Sequence, residues 1–439
     1  MGRWIGTPEV WERFTSHTSQ KTRWMGHPGM DGARERWGRG RAHVPEAGGG
    51  VPGFVAGVTV LAASRYSGRY MERRKVGILG ATGMVGQRFI QLLSNHPWFE
   101  IAWLAASDRS AGKTYGEACR WKLETPLPAN IAAMTIQPNV PEGTVGELPK
   151  IIFAALDADV ARELEPKFAA AGCAVISNSS AFRMVADVPL VIPEVNADHL
   201  ALIEAQSTRK ENGGNGGYIV TNPNCSTIGL VLALKPLADR FGIESVFVTT
   251  MQAVSGAGYP GVPSLDILGN VVPFIKNEEE KMEEEASKLL GRLDGRKIEM
   301  LDAKVSAHCN RVAVEDGHTE CVSVKLRTKA TREQILAAWS EFEPLRGKHL
   351  PTAPAQPVEF DGGADRPQPR LDRMRGRGMT ATVGRLRECS LLDWKFVVLS
   401  HNTIRGAAGA AVLNAEILAL LGKLDKLGVA ATPAVAVMA

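Results

Sequence analysis

Apolar positions recur with clear periods from residue 75 onward. KVGIL (75–79) is a short apolar run between a charge and a glycine, the pattern of a buried strand. GATGMVG (80–86) is a turn, and MVGQRFIQLLSNHP (84–97) then places Val85, Phe89, Leu92 and Leu93 on one helical face. IAWLAAS (101–107) is the next strand. KIIFAAL (150–156) and CAVISNS (173–179) are further strands, with the helical DADVARELEPKFAAAG (157–172) between them. Strands alternating with helices predict a parallel, doubly wound sheet. Beyond residue 224 the texture changes. CSTIGLVLALKPLADRFG (225–242) predicts a helix. IESVFVTTMQAVS (243–255), NRVAVEDGHTECVSVKL (310–326) and TATVGRLRECSLLDWKFVVLS (380–400) predict strands with turns, hence a second domain on a larger, mixed or antiparallel sheet. HNTIRGAAGAAVLNAEILALLG (401–422) predicts one long Ala-rich helix packing back on the first domain.

Residues 1–70 show neither period. They hold four of the nine tryptophans, ten Lys or Arg against five Asp or Glu, and the Gly-rich GRGRAHVPEAGGGVPG (38–53). The expectation is an extension, disordered or upstream of the true start, with Met71 as a candidate start. An Arg-rich targeting presequence is the alternative, and Glu9, Glu12, Asp31, Glu35 and Glu46 oppose it. The expected organisation is therefore an α/β chain: extension 1–70, a Rossmann-type nucleotide-binding domain over 71–222 with 402–439, and an α+β catalytic and dimerisation domain with a mixed sheet over 223–401.

Composition narrows the function classes. Hydrophobic residues are 44% and charged residues 22% of the 439, the balance of a globular protein. The apolar VPGFVAGVTVLAA (51–63) is too short to span a bilayer, so no membrane association is expected. A net charge of +4 makes no case for nucleic acid, and the arginine-rich 366–387 lacks interleaved aromatics. The six cysteines, Cys119, Cys173, Cys225, Cys309, Cys321 and Cys389, are scattered without a CxxC pair. They predict reduced, mostly buried thiols, no metal, and a reducing compartment such as the cytoplasm.

Chemistry enters at three places. Gly80, Gly83 and Gly86 sit between a strand and a helix, where glycine permits a tight turn and the helix N-terminus offers N–H groups to a pyrophosphate. Thr82, Met84 and Val85 share this turn. SDRSAGK (107–113) ends the second strand. Asp108 there suits the free ribose of NAD, whereas Ser107, Arg109, Ser110 and Lys113 suit the 2′-phosphate of NADP, and the donor count favours NADP(H). Cys225 begins a predicted helix after Asn-Pro-Asn. That position predicts a lowered thiol pKa, and helix N–H groups that serve as an oxyanion hole. Mid-strand Cys321 has no such setting and reads as a buried thiol. Among nine histidines, His318 heads a strand after a turn and His308 competes with it as a base. Arg183 and Arg311 are candidate anion anchors. NEEEKMEEEASK (277–288) reads mostly as a solvated helix face on which Glu278 and Lys281 share a side.

GATGMVGQ, SSAFRM, PEVN, NPNCST, MQAVSGAGYPG and RVAVEDGHTE, in this order, resemble the aspartate-β-semialdehyde dehydrogenase family in its archaeal and fungal form. The resemblance covers roughly residues 74–422. It implies NADPH-dependent reduction of L-aspartyl-4-phosphate to aspartate semialdehyde through a cysteine thioester, a step of lysine, threonine and methionine biosynthesis. By matching positions, it implies Cys225 as nucleophile, Gln252 as the residue orienting the acyl-enzyme, and His318 as acid/base ahead of His308. It implies Arg311 as the anchor of the substrate α-carboxylate, and Arg183 as a phosphate arginine. Glu278 and Lys281 then serve substrate amine and phosphate, Asn224 contacts substrate, and Asn402 with the last helix contacts the cofactor. A homodimer or homotetramer is implied, with the second domain's sheet at the interface. The alternative is a related acyl-phosphate or acyl-CoA reductase, such as one acting on malonyl-CoA.

Overall fold

The structure, a computed structural model, describes residues 73–142, 146–206, 216–425 and 427. The expectations for 1–70, including the start at Met71, lie outside these residues.

The first sheet holds β1 (Arg74–Leu79), β2 (Phe99–Ala106), β3 (Gln137–Pro138), β4 (Ile151–Ala154), β5 (Ala174–Ser177) and β6 (Tyr218–Thr221). Its order is β3-β2-β1-β4-β5-β6, and every pairing is parallel. This is the doubly wound nucleotide-binding topology, in which ligands sit outside the carboxyl ends of the strands. β4, β5 and β6 are buried along their whole length, as a sheet covered on both faces requires. Helix α1 (Met84–Leu93) turns Phe89, Ile90 and Leu93 into the core, with Val85 and Leu92 at its margin. The buried face is thus rotated from the one the spacing predicted, because Gly86 and Gln87 pack against the turn below. Helix α2 (Ala158–Ala170) covers the other face.

Helix α3 (Cys225–Phe241) leaves β6 after a three-residue turn and enters the second unit. It is buried on almost every side, so apolar residues on all its faces (Ile228, Leu230, Val231, Leu234) face protein. It lies against the inner face of a mixed sheet. That sheet contains β7 (Ile243–Gln252), then, beyond helix α4 (Glu278–Leu289) and the small ribbon of β8 (Arg292–Asp294) and β9 (Lys297–Glu299), the strands β10 (Lys304–Arg311), β11 (His318–Leu326), β12 (Val358–Asp361), β13 (Ala381–Glu388) and β14 (Trp394–Ser400). The order is β10-β7-β11-β14-β13-β12. Val246, Val248, Val322, Val324, Phe396 and Val398 meet α3, α4 and helix α5 (Arg332–Ser340) in the second core. The opposite face of the sheet is open: Phe247, His308 and Cys321 are exposed. Cys321 is therefore not the buried thiol the sequence suggested, since strand alternation turns it outward. All six cysteines are free, with Cys119, Cys173 and Cys309 buried.

The chain then returns to the first unit. Residues 401–422 are not one uniform helix: a π-helical turn, Ile404–Ala408, precedes helix α6 (Gly409–Leu420). Ala411, Leu413 and Ile417 of α6 join Val76, Ile78 and Phe89 in the first core. Two buried pairs hold this return: Arg405 grips both oxygens of Glu194 at 2.7 and 2.8 Å, and His96 Nε2 lies 2.9 Å from Glu416. The arginines of 366–387 serve locally, with Arg366 and Arg375 paired to Asp361 and Asp372. Among the described residues, no helix is long and apolar enough to cross a membrane.

Candidate active site

The carboxyl edge of the first sheet collects the loops that carry chemistry. After β1, Gly80 adopts φ +74°, and a Cβ on Gly86 would lie 2.3 Å from the Gly80 carbonyl oxygen. Glycine at both positions is what lets α1 start directly against the turn. Gly83 is the N-cap, and no side chain caps this helix, so the first-turn N–H groups at Met84, Val85 and Gly86 have no side-chain cap. Tyr115 Oη donates to the Ala81 carbonyl at 2.8 Å and braces the turn, with Thr82 half-buried beside the exposed Gly83. These features fit a dinucleotide pyrophosphate. Ser107, Arg109, Ser110 and Lys113 lie in the turn after β2, at the same edge; Ser107, Arg109 and Lys113 are exposed.

After β6 come Asn222, Pro223, Asn224 and Cys225. Asn224 caps α3, its Oδ1 accepting from the N–H groups of Ser226 at 2.9 Å and Thr227 at 3.3 Å. These two N–H groups are therefore not available as the oxyanion hole the sequence suggested. Of the first turn, only the Cys225 N–H is left outside the cap. Asn224 Nδ2 donates to Glu278 at 2.9 Å.

The second unit brings His318 to Cys225. Gly317, at φ +104°, lets the chain turn into β11 so that the imidazole faces inward. His318 Nε2 stands 3.2 Å from Cys225 Sγ, and its Nδ1 accepts the Ala253 N–H at 3.0 Å. In the neutral ring that second bond leaves the proton on Nε2, pointing at sulfur. Arg311, at the end of β10, is buried and donates to the Ala253 carbonyl at 2.8 Å. Gly256 is packed over both, since a Cβ there would meet Arg311 Nη1 at 2.8 Å and His318 Cε1 at 3.1 Å. Gln252 gives its amide to Ser226 Oγ at 2.9 Å and Thr250 Oγ1 at 3.3 Å. His308 sits on the open face of the sheet against the Phe247 ring, away from Cys225.

The electrostatics differ from the expectation. Cys225 is partly exposed yet lies under dense protein, and burial, aided by Glu278, pushes its thiol up to about 12. Arg311, Arg183 and the Ser226 N–H pull the other way but lose. The lowered thiol pKa read from the helix N-terminus is thus overturned by desolvation. Burial, with Arg311 and His401, pushes His318 down to about 3. The resting pair is a neutral thiol and a neutral imidazole.

Helix α4 lines the remaining wall. Glu278 is buried, and Lys281 Nζ lies 3.9 Å from its Oε2. Arg183, in the turn after β5, donates to Glu285 at 2.9 Å and to the Asn178 carbonyl at 2.7 Å. Glu285 and Lys288 are buried too, so the acidic run is not mainly a solvated face. Its period hid this, because charged residues fill the inward positions as well. Asn402 Nδ2 donates to Ser255 Oγ, and its Oδ1 accepts the Gly317 N–H, both at 2.8 Å. Sequence reasoning also missed Gly406, whose Cβ would fall 2.7 Å from Cys225 Cβ. The Ala-rich stretch around it gave no signal of that contact.

Residues 75–203 match the semialdehyde dehydrogenase NAD-binding domain, and 234–405 match the semialdehyde dehydrogenase dimerisation domain. The aspartate-semialdehyde dehydrogenase of Archaeoglobus fulgidus is 55% identical over 346 residues, which is 79% of this chain and 98% of that protein. The solved structure of aspartate semialdehyde dehydrogenase with NADP from Candida albicans superposes with a TM-score of 0.72 at 46% identity, covering 79% of this chain and 99% of that one. That of aspartate semialdehyde dehydrogenase II complexed with ASA from Vibrio cholerae gives 0.62 at 29% identity, over 80% and 99%. These likenesses span both sheets, and the chain belongs to the aspartate-semialdehyde dehydrogenase family.

Proposed function

We propose that this chain catalyses the NADPH-dependent conversion of L-aspartyl-4-phosphate to L-aspartate-4-semialdehyde and phosphate. The observation that carries the reading is the 3.2 Å approach of Cys225 Sγ to His318 Nε2, beside the buried Arg311. Arg311 anchors the substrate α-carboxylate, and Glu278 receives its amine. Arg183 and Lys281 face the phosphate. Cys225 sulfur bonds to the acyl carbon, the C–O bond to phosphate breaks, and the thiol proton leaves with the phosphate. Gln252 and Asn224 hold the thioester in place through Ser226, Glu278 and the helix cap. NADPH held by its pyrophosphate at the Gly80–Gly86 turn would supply the hydride that reduces the thioester. The Cys225 N–H and the His318 Nε2–H are the donors available to the carbonyl oxygen as charge develops there. When the C=O re-forms, sulfur leaves as thiolate, accepts the Nε2–H hydrogen bond, and regains a proton from solvent. His318 thus supplies the donor side of its expected acid/base role, because the Ala253 N–H opposes protonation of Nδ1.

Ser107, Arg109, Ser110 and Lys113 support NADP over NAD. Asn402 spends its amide on the turn carrying His318, so its help to the cofactor runs through that turn. The open sheet of the dimerisation domain supports a homodimer or homotetramer, and free thiols support a cytoplasmic setting. The test is phosphate-dependent NADP reduction by aspartate semialdehyde. Wild type is expected to reduce NADP faster than NAD, and Cys225→Ala to lose the activity. Survival of near-wild-type turnover in that variant rejects the mechanism.

A further inference from the structure

Glu285 ties two loops of the first unit together through one carboxylate. It lies in the middle of α4 and is buried. Its Oε1 accepts Arg183 Nη1 at 2.9 Å, and its Oε2 accepts the backbone N–H of Asn224 at 2.6 Å. Arg183 lies in the loop after β5, and Asn224 directly precedes the nucleophile after β6. One carboxylate from the second unit therefore spans two loops of the first. One helical turn on, Lys288 donates to the carbonyls of Arg183, Val185 and Val188 at 2.7, 2.9 and 3.0 Å, which fixes the backbone of the same loop.

Stability alone is a poor reason for this arrangement. Burying a carboxylate and a guanidinium costs desolvation that apolar side chains of equal size avoid. Burial indeed pushes the Glu285 carboxyl above the usual carboxylate range, against the pull of Arg183 and the Asn224 N–H. What the pair provides is geometry. A guanidinium held on one edge by a carboxylate, and by the Asn178 carbonyl on another Nη, presents its remaining donors in a fixed plane.

We propose that Glu285 is a positioning residue for the acyl-phosphate half of the reaction, holding the Arg183 guanidinium and the peptide before Cys225 at one fixed spacing so that a phosphate oxygen meets the face of the thioester carbonyl carbon from which sulfur then leaves. This rests on the assignment of Cys225 as nucleophile and Arg183 as phosphate ligand. Glu285→Gln isolates the effect. An amide oxygen can satisfy Arg183 or the Asn224 N–H, but its NH2 then opposes the other donor. One arm must open while the volume is kept.

The experiment follows aspartate-semialdehyde oxidation by the full chain in the steady state and by stopped flow. In Glu285→Gln, the KM for phosphate is expected to rise by about tenfold to a hundredfold, the effect of misplacing a positioning group. The KM for NADP should stay within about twofold, because only interactions made by the altered loop are removed. The first-turnover burst of NADPH, which needs no phosphate, should keep its amplitude. A generally loosened fold would shift all three together. Should Glu285→Gln not fold, Glu285→Asp retains the charge with a shorter reach, and a phosphate KM about threefold to tenfold above wild type is expected. A wild-type KM for phosphate in either folded variant, or a parallel rise in the KM for NADP, overturns the proposal. A wild-type enzyme that reduces NADP with a burst but needs no phosphate overturns the assignment of Arg183 beneath it as well.

Discussion

Removing the imidazole at position 318 separates two accounts of how the sulfur is made reactive. In one, the empty enzyme already holds a thiolate beside an imidazolium. In the other, both are neutral until substrate arrives. The thiol near 12 and the imidazole near 3 are separated by roughly nine pH units, so forming the ion pair costs about 12 kcal/mol before the charges attract. At 3.2 Å that attraction returns only about 5 kcal/mol at an effective dielectric near 20. The neutral pair wins by several kcal/mol, and the Ala253 N–H on Nδ1 adds to the margin. At pH 7 the thiolate fraction of a thiol near 12 is about 10⁻⁵, against a few per cent for free cysteine. A thiolate of high pKa is a better nucleophile, which recovers about half of the difference on a logarithmic scale, so alkylation should run roughly a hundredfold slower than free cysteine.

The assay is iodoacetamide inactivation of the ligand-free enzyme from pH 6 to 10, with glutathione as reference. The rate should climb about tenfold per pH unit, and His318→Ala should leave it within about threefold, because the imidazole takes no proton from the resting thiol. Turnover should still fall in His318→Ala by about a hundredfold to a thousandfold, the effect of losing one donor to a developing oxyanion. His318→Gln, which restores an N–H but no base, should recover part of that loss. Fast alkylation that titrates below pH 7 and disappears in His318→Ala would refute the reasoning.

Two more predictions follow from buried positions. Neither oxygen of Glu320, fully buried beneath α3, has a protein hydrogen-bond partner among the described residues, and burial holds its carboxyl well above the usual range. The folded state keeps a proton that the unfolded chain releases above about pH 4.3, so stability drains by up to about 1.4 kcal/mol per pH unit until the folded group titrates. Denaturation at pH 5, 6.5 and 8 should show Glu320→Gln gaining on wild type as pH rises, and a pH-independent difference would count against a neutral Glu320. Gly406→Ala places a methyl 2.7 Å from Cys225 Cβ, so turnover should fall by about a hundredfold while NADP still binds, measured by fluorescence titration; unchanged turnover would show that the return segment yields freely.

What the sequence revealed was whatever a local rule can carry. The glycine turn, the apolar strands and the asparagine before Cys225 each act within a few residues, so spacing exposes them. Cys225 and His318 were legible as element ends. Their protonation was not, because the group that settles it, the Ala253 N–H, comes from a strand end 65 residues away in sequence from His318. The helix-terminus rule was right about sign, since the Ser226 N–H does favour thiolate, and wrong about outcome, since burial is larger. The buried acids of α4 escaped for another reason. A period read from hydrophobicity cannot see an inward face made of Glu278, Glu285 and Lys288. Cys321 failed in the opposite sense, its apolar neighbours implying burial on a face that the sheet leaves open.

The same long-range contacts explain why the imidazole belongs to both units. Asp316, just before the turn into β11, accepts from Ser255 Oγ at 2.7 Å and lies 3.5 Å from Arg88 of α1. Asn402 holds Ser255 and the Gly317 N–H from the return segment, while Arg88 Nε also donates to Thr403 Oγ1 at 3.2 Å. Arg88 stands one turn beyond the glycine cradle. Helix α1 behind the glycine turn, the segment that closes the first core and the turn that aims His318 are therefore one hydrogen-bonded body. Its charges are mostly buried and mutually paired, which resists displacement far more than exposed pairs would. A change in α1 that frees Arg88 must loosen the His318 turn along with the nucleotide site, whereas a change confined to α4 reaches the Arg183 loop and leaves this body intact.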